Sequence, residues 1–234
     1  MVELPGRPTN ISVLESCTML NALTPEQRGE LAEQSYMAYA ERGELIWLEG
    51  GQPEFFAIVG IGFVKMTRSS AKGQEVAVEI LGPGQCLGLL AALEKRPLPL
   101  SAIAVANTWY LKVPIPLFMR LYAASVAIRD QVLRTVTPRL RRAHDMMCRL
   151  CSGRVEERIA AVLFILADSY GTATEKGRRI DVPLTRQDLA EMAGTTVETT
   201  IRVLSRWRKD GVVSTEHQML TLLDEDALVE SVTG

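Results

Sequence analysis

The chain has 234 residues, 47% of them hydrophobic and 23% charged, with 26 Lys and Arg against 28 Asp and Glu. That apolar fraction and a formal net charge of −2 exclude a disordered chain, and they argue against a protein that coats nucleic acid regardless of sequence. The segment from Met1 to Pro8 carries neither the basic nor the apolar part of a signal peptide, and no apolar run approaches the roughly 18 residues of a membrane span. Four cysteines make no disulfide scaffold. The expectation is a cytoplasmic protein with reduced thiols and no membrane partner.

The first helix signal is Thr24-Pro25-Glu26-Gln27, with Thr as N-cap, Pro at the first helical position and Gln three residues on; the helix runs to about Ser35. Nine of the 17 glycines then fall between Gly43 and Gly88. Short apolar or alternating runs lie among and beyond them: Glu44–Leu48, Phe55–Met66, Glu75–Leu81 and Ser101–Val113. Short strands between glycine turns predict an antiparallel β-roll or barrel.

After Val113 the texture changes. Leu117–Leu121 predicts a short helix, and a long helix starts near Ser125. Val126, Leu133, Leu140 and Met147 recur every seven residues, with Thr137, His144 and Cys151 as a weaker, polar series. A long helix with one narrow apolar stripe needs a partner helix, most simply its own copy. Pro138 predicts a kink, or a break at which Thr137 caps a second piece.

Ser152-Gly153 marks a boundary. An amphipathic helix over Arg154–Tyr170 and a polar loop over Thr172–Asp181 precede Val182-Pro183-Leu184. Thr185-Arg-Gln-Asp188 is a capped start for a helix over Arg186–Ala193 that stops at Gly194, and a second helix runs from Thr195 or Thr196 to Lys209. Short strands at Val212–Ser214 and Met219–Leu223, around a turn at Glu216-His217, complete a winged helix-turn-helix.

The first half contains Arg42-Gly-Glu-Leu-Ile46, Glu49-Gly50-Gly51, Gly62-Phe-Val-Lys65, Gly73-Gln74-Glu75 and Leu81-Gly-Pro-Gly84, and the second Val182–Ala190 and Gly194–Thr199. In order and spacing these motifs resemble the CRP/FNR family of bacterial transcription regulators, over about residues 14–228. The resemblance implies an α+β chain with three parts. Residues 1–120 form a jelly-roll β-barrel sensor of the cyclic-nucleotide-binding kind, 121–152 a dimerisation helix, and 153–234 a winged helix-turn-helix. The partners it implies are double-stranded DNA with a near-palindromic site, a second copy of the chain, and RNA polymerase.

Charge supports this locally. From Arg154 onward the net charge is −4, yet from Thr196 to Lys209 it is +3, with Arg202, Arg206, Arg208 and Lys209 against Glu198. Glu198 and Arg202 are four apart on one helix face; Arg pairs guanine O6 and N7, and Glu accepts from cytosine N4. The plainer alternative is a surface ion pair between them. In the family this Glu and Arg contact bases, and Val197 before the Glu matches the fumarate–nitrate branch and suits a thymine methyl, implying a TTGA-type half-site. Ile201 departs from the family's frequent Ser. Thr185, Arg186, Gln187, Thr196 and Arg206 are placed for phosphate contact, which positions without specifying.

The sensor departs further from the family. Leu89 stands where cyclic-nucleotide binders carry the ribose-holding Glu, and Leu100, before Ser101, stands where they carry the phosphate-pairing Arg. The expected effector pocket (Cys86, Leu89, Leu100, Ser101, His144) is therefore apolar and rejects a cyclic nucleotide, leaving redox, gas or small-molecule signals. Cys86 and His144, or a Met, could ligate haem. Cys148-x-x-Cys151 could hold zinc or an iron–sulfur cluster between two chains, form a disulfide, or simply pack a helix seam. His217 lies in the wing turn. With no catalytic constellation, an enzyme is not expected; the competing reading is a cyclic-nucleotide-binding regulatory protein.

Overall fold

The computed structural model describes residues 6–70, 73, 75–216 and 218–233, and the side chains of 149–152 and 231–233 are outside that description. Gln74, His217 and the Cys151 side chain therefore lie outside the described residues. Two compact units emerge, one of Met1–Ser69 with Val78–Leu140, the other of Ser70–Ala77 with Arg141–Gly234.

The first unit opens with α1 (Asn10–Ser16), a 3-10 turn (Thr18–Leu20) and α2 (Pro25–Gln34). Thr24 caps α2 as expected: its hydroxyl accepts from the Gln27 N–H, and the Gln27 side chain accepts from the Thr24 N–H. Eight strands follow: β1 (Tyr36–Ala40), β2 (Leu45–Trp47), β3 (Phe55–Ile61), β4 (Val64–Ser69), β5 (Glu75–Leu81), β6 (Cys86–Leu87), β7 (Ser101–Ala104) and β8 (Thr108–Pro114). They form a jelly roll of two four-stranded sheets, ordered β1-β8-β3-β6 and β2-β7-β4-β5, rather than one closed barrel.

The runs Phe55–Met66 and Ser101–Val113 each prove to be two strands. The first is broken at Gly62, whose φ of +90° disfavours any side chain, and where an added Cβ would lie 2.6 Å from the Asn107 carbonyl oxygen. Thr108 bridges the same turn, its hydroxyl accepting from the Phe63 N–H and donating to the Ala106 carbonyl. β1 and β6 went unforeseen because one is mostly half-exposed and the other is two residues long.

Alternation along β3 and β8 serves two cores. Ala57, Val59 and Tyr110 face the roll interior with Val64, Met66, Leu81, Ala102 and Ala104 of the other sheet. Phe56, Ile58, Leu111 and Val113 face the opposite way, into a cluster with Leu14, Leu20 and Leu31. That cluster also takes Leu117, Phe118 and Leu121 of α4 (Ile115–Ala124), and Ile128 and Val132 at the start of α5 (Val126–Ser152). Between β6 and β7 the run Leu89–Glu94 forms α3.

α5 continues through Pro138 for 27 residues, so the expected break is absent and Thr137 does not cap a second piece. Instead the Thr135 and Thr137 hydroxyls donate back to the Gln131 and Leu133 carbonyls. Arg139 is held from outside the helix, by Glu79 at 2.6 Å and by the Cys86 carbonyl at 3.1 Å. Among the described residues no helix is long and apolar enough to cross a membrane.

In the second unit α6 (Val155–Tyr170) packs against α7 (Arg186–Ala193) and α9 (Glu225–Thr233), and α7 packs against α8 (Val197–Lys209). The presumed loop over Thr172–Asp181 is in fact a hairpin, β9 (Gly171–Thr174) and β10 (Gly177–Ile180). It joins β11 (Val213–Glu216) and β12 (Met219–Leu222) in a four-stranded sheet ordered β11-β12-β10-β9. The apolar alternation that marks a half-buried strand is missing because three of the four β9 residues face water.

Two substitutions test these local arguments. Gly62→Ala should destabilise the jelly roll by more than about 1 kcal/mol in denaturant unfolding, because φ and the neighbouring carbonyl both oppose a Cβ. Thr185→Ala should cost about 1 kcal/mol by removing the N-cap of α7.

Candidate functional site

The helix-turn-helix is built on two caps and a glycine. At the start of α7 the Thr185 hydroxyl accepts from the Asp188 N–H, while the Asp188 carboxylate accepts from the Thr185 N–H and hydroxyl. At its end Gly194 is left-handed (φ +59°), turning the chain within three residues into α8, and its carbonyl accepts from Arg158 of α6. Thr196 then caps α8, its hydroxyl accepting from the Thr199 N–H.

Thr200, Val203, Leu204 and Trp207 recur at helical spacing and are buried, which anchors one face of α8. The opposite face carries Glu198, Ile201, Arg202, Ser205 and Arg208, all exposed. Glu198 and Arg202 share this face, and among the described residues neither forms an ion pair with the other or with another charged group. The surface-pair alternative is not the arrangement found. Val197 is half-buried beside them.

The five residues placed for phosphate have other attachments. Arg186 donates to the Thr215 hydroxyl on β11 at 3.1 Å; burial first, and the like charge of Arg208 second, lower its pKa. Gln187, exposed, donates to Glu191 at 2.8 Å, and Arg206 pairs with Glu156 of α6 at 3.4 Å. The Thr185 hydroxyl is engaged with Asp188, and Thr196 is exposed, its hydroxyl donating to that of Thr199. Arg206, Arg208 and Lys209 also sit in the last turn of α8, where positive charge complements the helix dipole.

In the first unit a cavity of about 110 Å³ lies beside β6 and α3. Cys86, Leu89 and Leu100 line it, together with Met19, Glu79 and Arg139. Ser101 is not in its lining and accepts from the Glu49 N–H instead, and His144 is exposed on α5. The cavity's two charged groups, Glu79 and Arg139, are paired to each other through two Arg139 nitrogens. Sequence reasoning missed this pair, because 60 residues separate the two and no motif contains both. It also missed that Cys17 meets Cys86, with the sulfurs 3.2 Å apart. Cys148 is exposed on α5, and among the described residues no group of three or more His, Cys, Asp and Glu side chains gathers to hold a metal.

Comparison with known proteins assigns both units. A model for the cyclic nucleotide-binding domain matches residues 38–125, and one for the Crp-like helix-turn-helix domain matches residues 157–231. The chain is 26% identical over 194 residues to an anaerobic regulatory protein of Haemophilus influenzae, covering 83% of this chain and 75% of that one. It is 24% identical over 216 residues to a CRP-like cAMP-activated global transcriptional regulator of Mycobacterium tuberculosis, covering 92% and 96%. The solved structure of FixK2 from Bradyrhizobium japonicum shares the fold, with a TM-score of 0.74 and 22% identity over 84% of this chain and 96% of that one. With a cyclic-nucleotide-type jelly roll and a Crp-like helix-turn-helix in that order, the chain belongs to the CRP/FNR family of DNA-binding transcription regulators.

Proposed function

We propose that this regulator acts in the cytoplasm as a homodimer on a TTGA-type inverted repeat and answers to a signal other than a cyclic nucleotide. Residues 1–120 serve as sensor, 121–152 as dimerisation helix and 153–234 as DNA reader, with RNA polymerase as the further partner at a promoter. No catalytic role is assigned.

The observation that carries the DNA reading is the exposed face of α8. Glu198 and Arg202 are a carboxylate and a guanidinium one helical turn apart, not ion-paired, on a helix whose other face is fixed by Trp207. That arrangement suits a G·C pair in the major groove, Arg on guanine and Glu on the cytosine amino group, with Val197 against a thymine methyl. Thr185, Arg186, Gln187, Thr196 and Arg206 are assigned to the flanking phosphates. The two arginines would exchange Thr215 and Glu156 for phosphate oxygens on docking, so their contacts position rather than specify.

Dimerisation is supported by α5. Ile128 and Val132 turn inward, whereas Val126, Leu133, Leu140 and Met147 are 62%, 66%, 54% and 61% exposed. This is the seven-residue series, and a parallel copy of the same helix is the simplest surface to cover it.

The relatives divide over the signal, some being named as anaerobic regulators and others as cAMP-activated. The cavity favours a non-nucleotide signal. Leu89 and Leu100 offer an anionic ligand nothing, and the nearby guanidinium of Arg139 is already neutralised by Glu79.

Three outcomes follow. In gel-shift titrations on the TTGA inverted repeat, Glu198→Ala and Arg202→Ala should each lose about 1–3 kcal/mol of discrimination at one base pair. An unchanged sequence preference in both variants contradicts the readout. Leu133→Asp with Leu140→Asp should sediment as a monomer and bind the repeat more than about tenfold more weakly. Cyclic AMP and cyclic GMP should leave the thermal midpoint unmoved; a rise that saturates with nucleotide favours the cyclic-nucleotide-binding alternative.

A further inference from the structure

Cys17 precedes the 3-10 turn after α1, and Cys86 opens β6. They are 69 residues apart, yet their sulfurs stand 3.2 Å from each other, and both side chains are buried, at 0% and 3% exposure. A disulfide has its sulfurs about 2.05 Å apart, so closure asks for an approach of only about 1.2 Å. Two thiols that close have no structural need to be cysteine, since a small apolar pair would pack there as well.

Three further features surround the pair. Cys86, though not Cys17, lines the 110 Å³ cavity, which has room for a molecule of the size of water or hydrogen peroxide. The hydrogen bond from Cys86 lowers the Cys17 thiol pKa, against the opposing effect of burial. The same bond, with burial, raises the pKa of Cys86. Finally, the Cys86 carbonyl accepts from Arg139, the residue after Pro138 on α5.

We propose that Cys17 and Cys86 form a dithiol–disulfide switch that hydrogen peroxide closes and that acts on α5 through Arg139. The Cys86 sulfur, which faces the cavity, attacks one peroxide oxygen as its thiol proton leaves, the O–O bond breaks, and the departing hydroxide takes that proton to become water. The Cys17 sulfur, 3.2 Å away, then attacks the Cys86 sulfenic sulfur, loses its own proton and displaces the oxygen as a second water. Two thiols and one peroxide thus give one disulfide and two waters. Closing the bond draws the start of β6 toward the turn after α1 and shifts the carbonyl that Arg139 holds. That hold flanks the point where α5 lacks a backbone donor, at Pro138, so the helix is least able to keep its course there without it.

This deepens the proposed function, on whose non-nucleotide signal its regulatory half rests; the thiol chemistry stands apart from it. Full-length protein carrying Cys148→Ser and Cys151→Ser is reduced, desalted under argon and treated with stoichiometric hydrogen peroxide. Peptide mass spectrometry should find Cys17 and Cys86 linked, two hydrogens lighter than the separate peptides. The link should vanish in Cys86→Ser and, independently, in Cys17→Ser. Recovery of both thiols unoxidised, or their separate conversion to sulfinic acid, overturns the switch. On the TTGA repeat the oxidised form should bind at least about fivefold more weakly than the reduced form. Dithiothreitol should reverse the change, and Cys86→Ser should not show it. Unchanged or raised affinity overturns the coupling to α5. If neither redox state binds the repeat, the proposed function fails, and the linked peptide still decides the thiol chemistry.

Discussion

Four apolar side chains on α5, Val126, Leu133, Leu140 and Met147, keep between 54% and 66% of their surface in water. Each recurs after seven residues, so they lie along one line of the helix while Ile128 and Val132 use another line to pack on the jelly roll. One helix thus meets two demands. Its inner line ties it to the unit that holds the cavity, and its outer line asks for a second helix. In the proposed dimer that second helix is the same segment of another chain. This is why Pro138 and Arg139 carry weight beyond their own neighbourhood. The backbone is short of one donor at Pro138, and the clasp of Arg139 on Glu79 and the Cys86 carbonyl lies beside it.

The charge distribution is consistent with a selective rather than an adhesive DNA binder. A net charge of −2 over the chain gives little attraction for phosphate at large, and the +3 of the Thr196–Lys209 segment is concentrated on one helix. Even that figure is reduced in effect, because Arg206 is paired with Glu156. Binding by such a surface depends on the fit of a few side chains at base edges, and hence on the placement of the helix that bears them.

Much of the architecture was legible where local chemistry decides it. Thr24-Pro-Glu-Gln27 and Thr185-Arg-Gln-Asp188 announce capped helices, and both capping boxes are present. Gly194 ends α7 where expected, and the seven-residue series picks out the exposed line of α5. Strands were harder to read wherever pairing rather than alternation makes them: β9 and β10 are largely polar, and β6 is two residues held by β3. Of the two outcomes that Pro138 announces, a kink or a break, the break is absent, because α5 is continuous over Val126–Ser152. The cavity was legible in part. Leu89 and Leu100 could be placed by resemblance, but Glu79, Arg139 and the meeting of Cys17 with Cys86 come from tertiary packing that no spacing encodes.

A hydroxyl-radical footprint of the reduced protein on a duplex carrying the TTGA inverted repeat tests the central proposal most directly, because it reports both half-sites and their spacing at once. Two protected patches of equal depth, related by the two-fold axis of the repeat and centred about one helical turn (roughly 10 base pairs) apart, are predicted. A single protected half-site, or uniform protection that ignores the repeat, would contradict it.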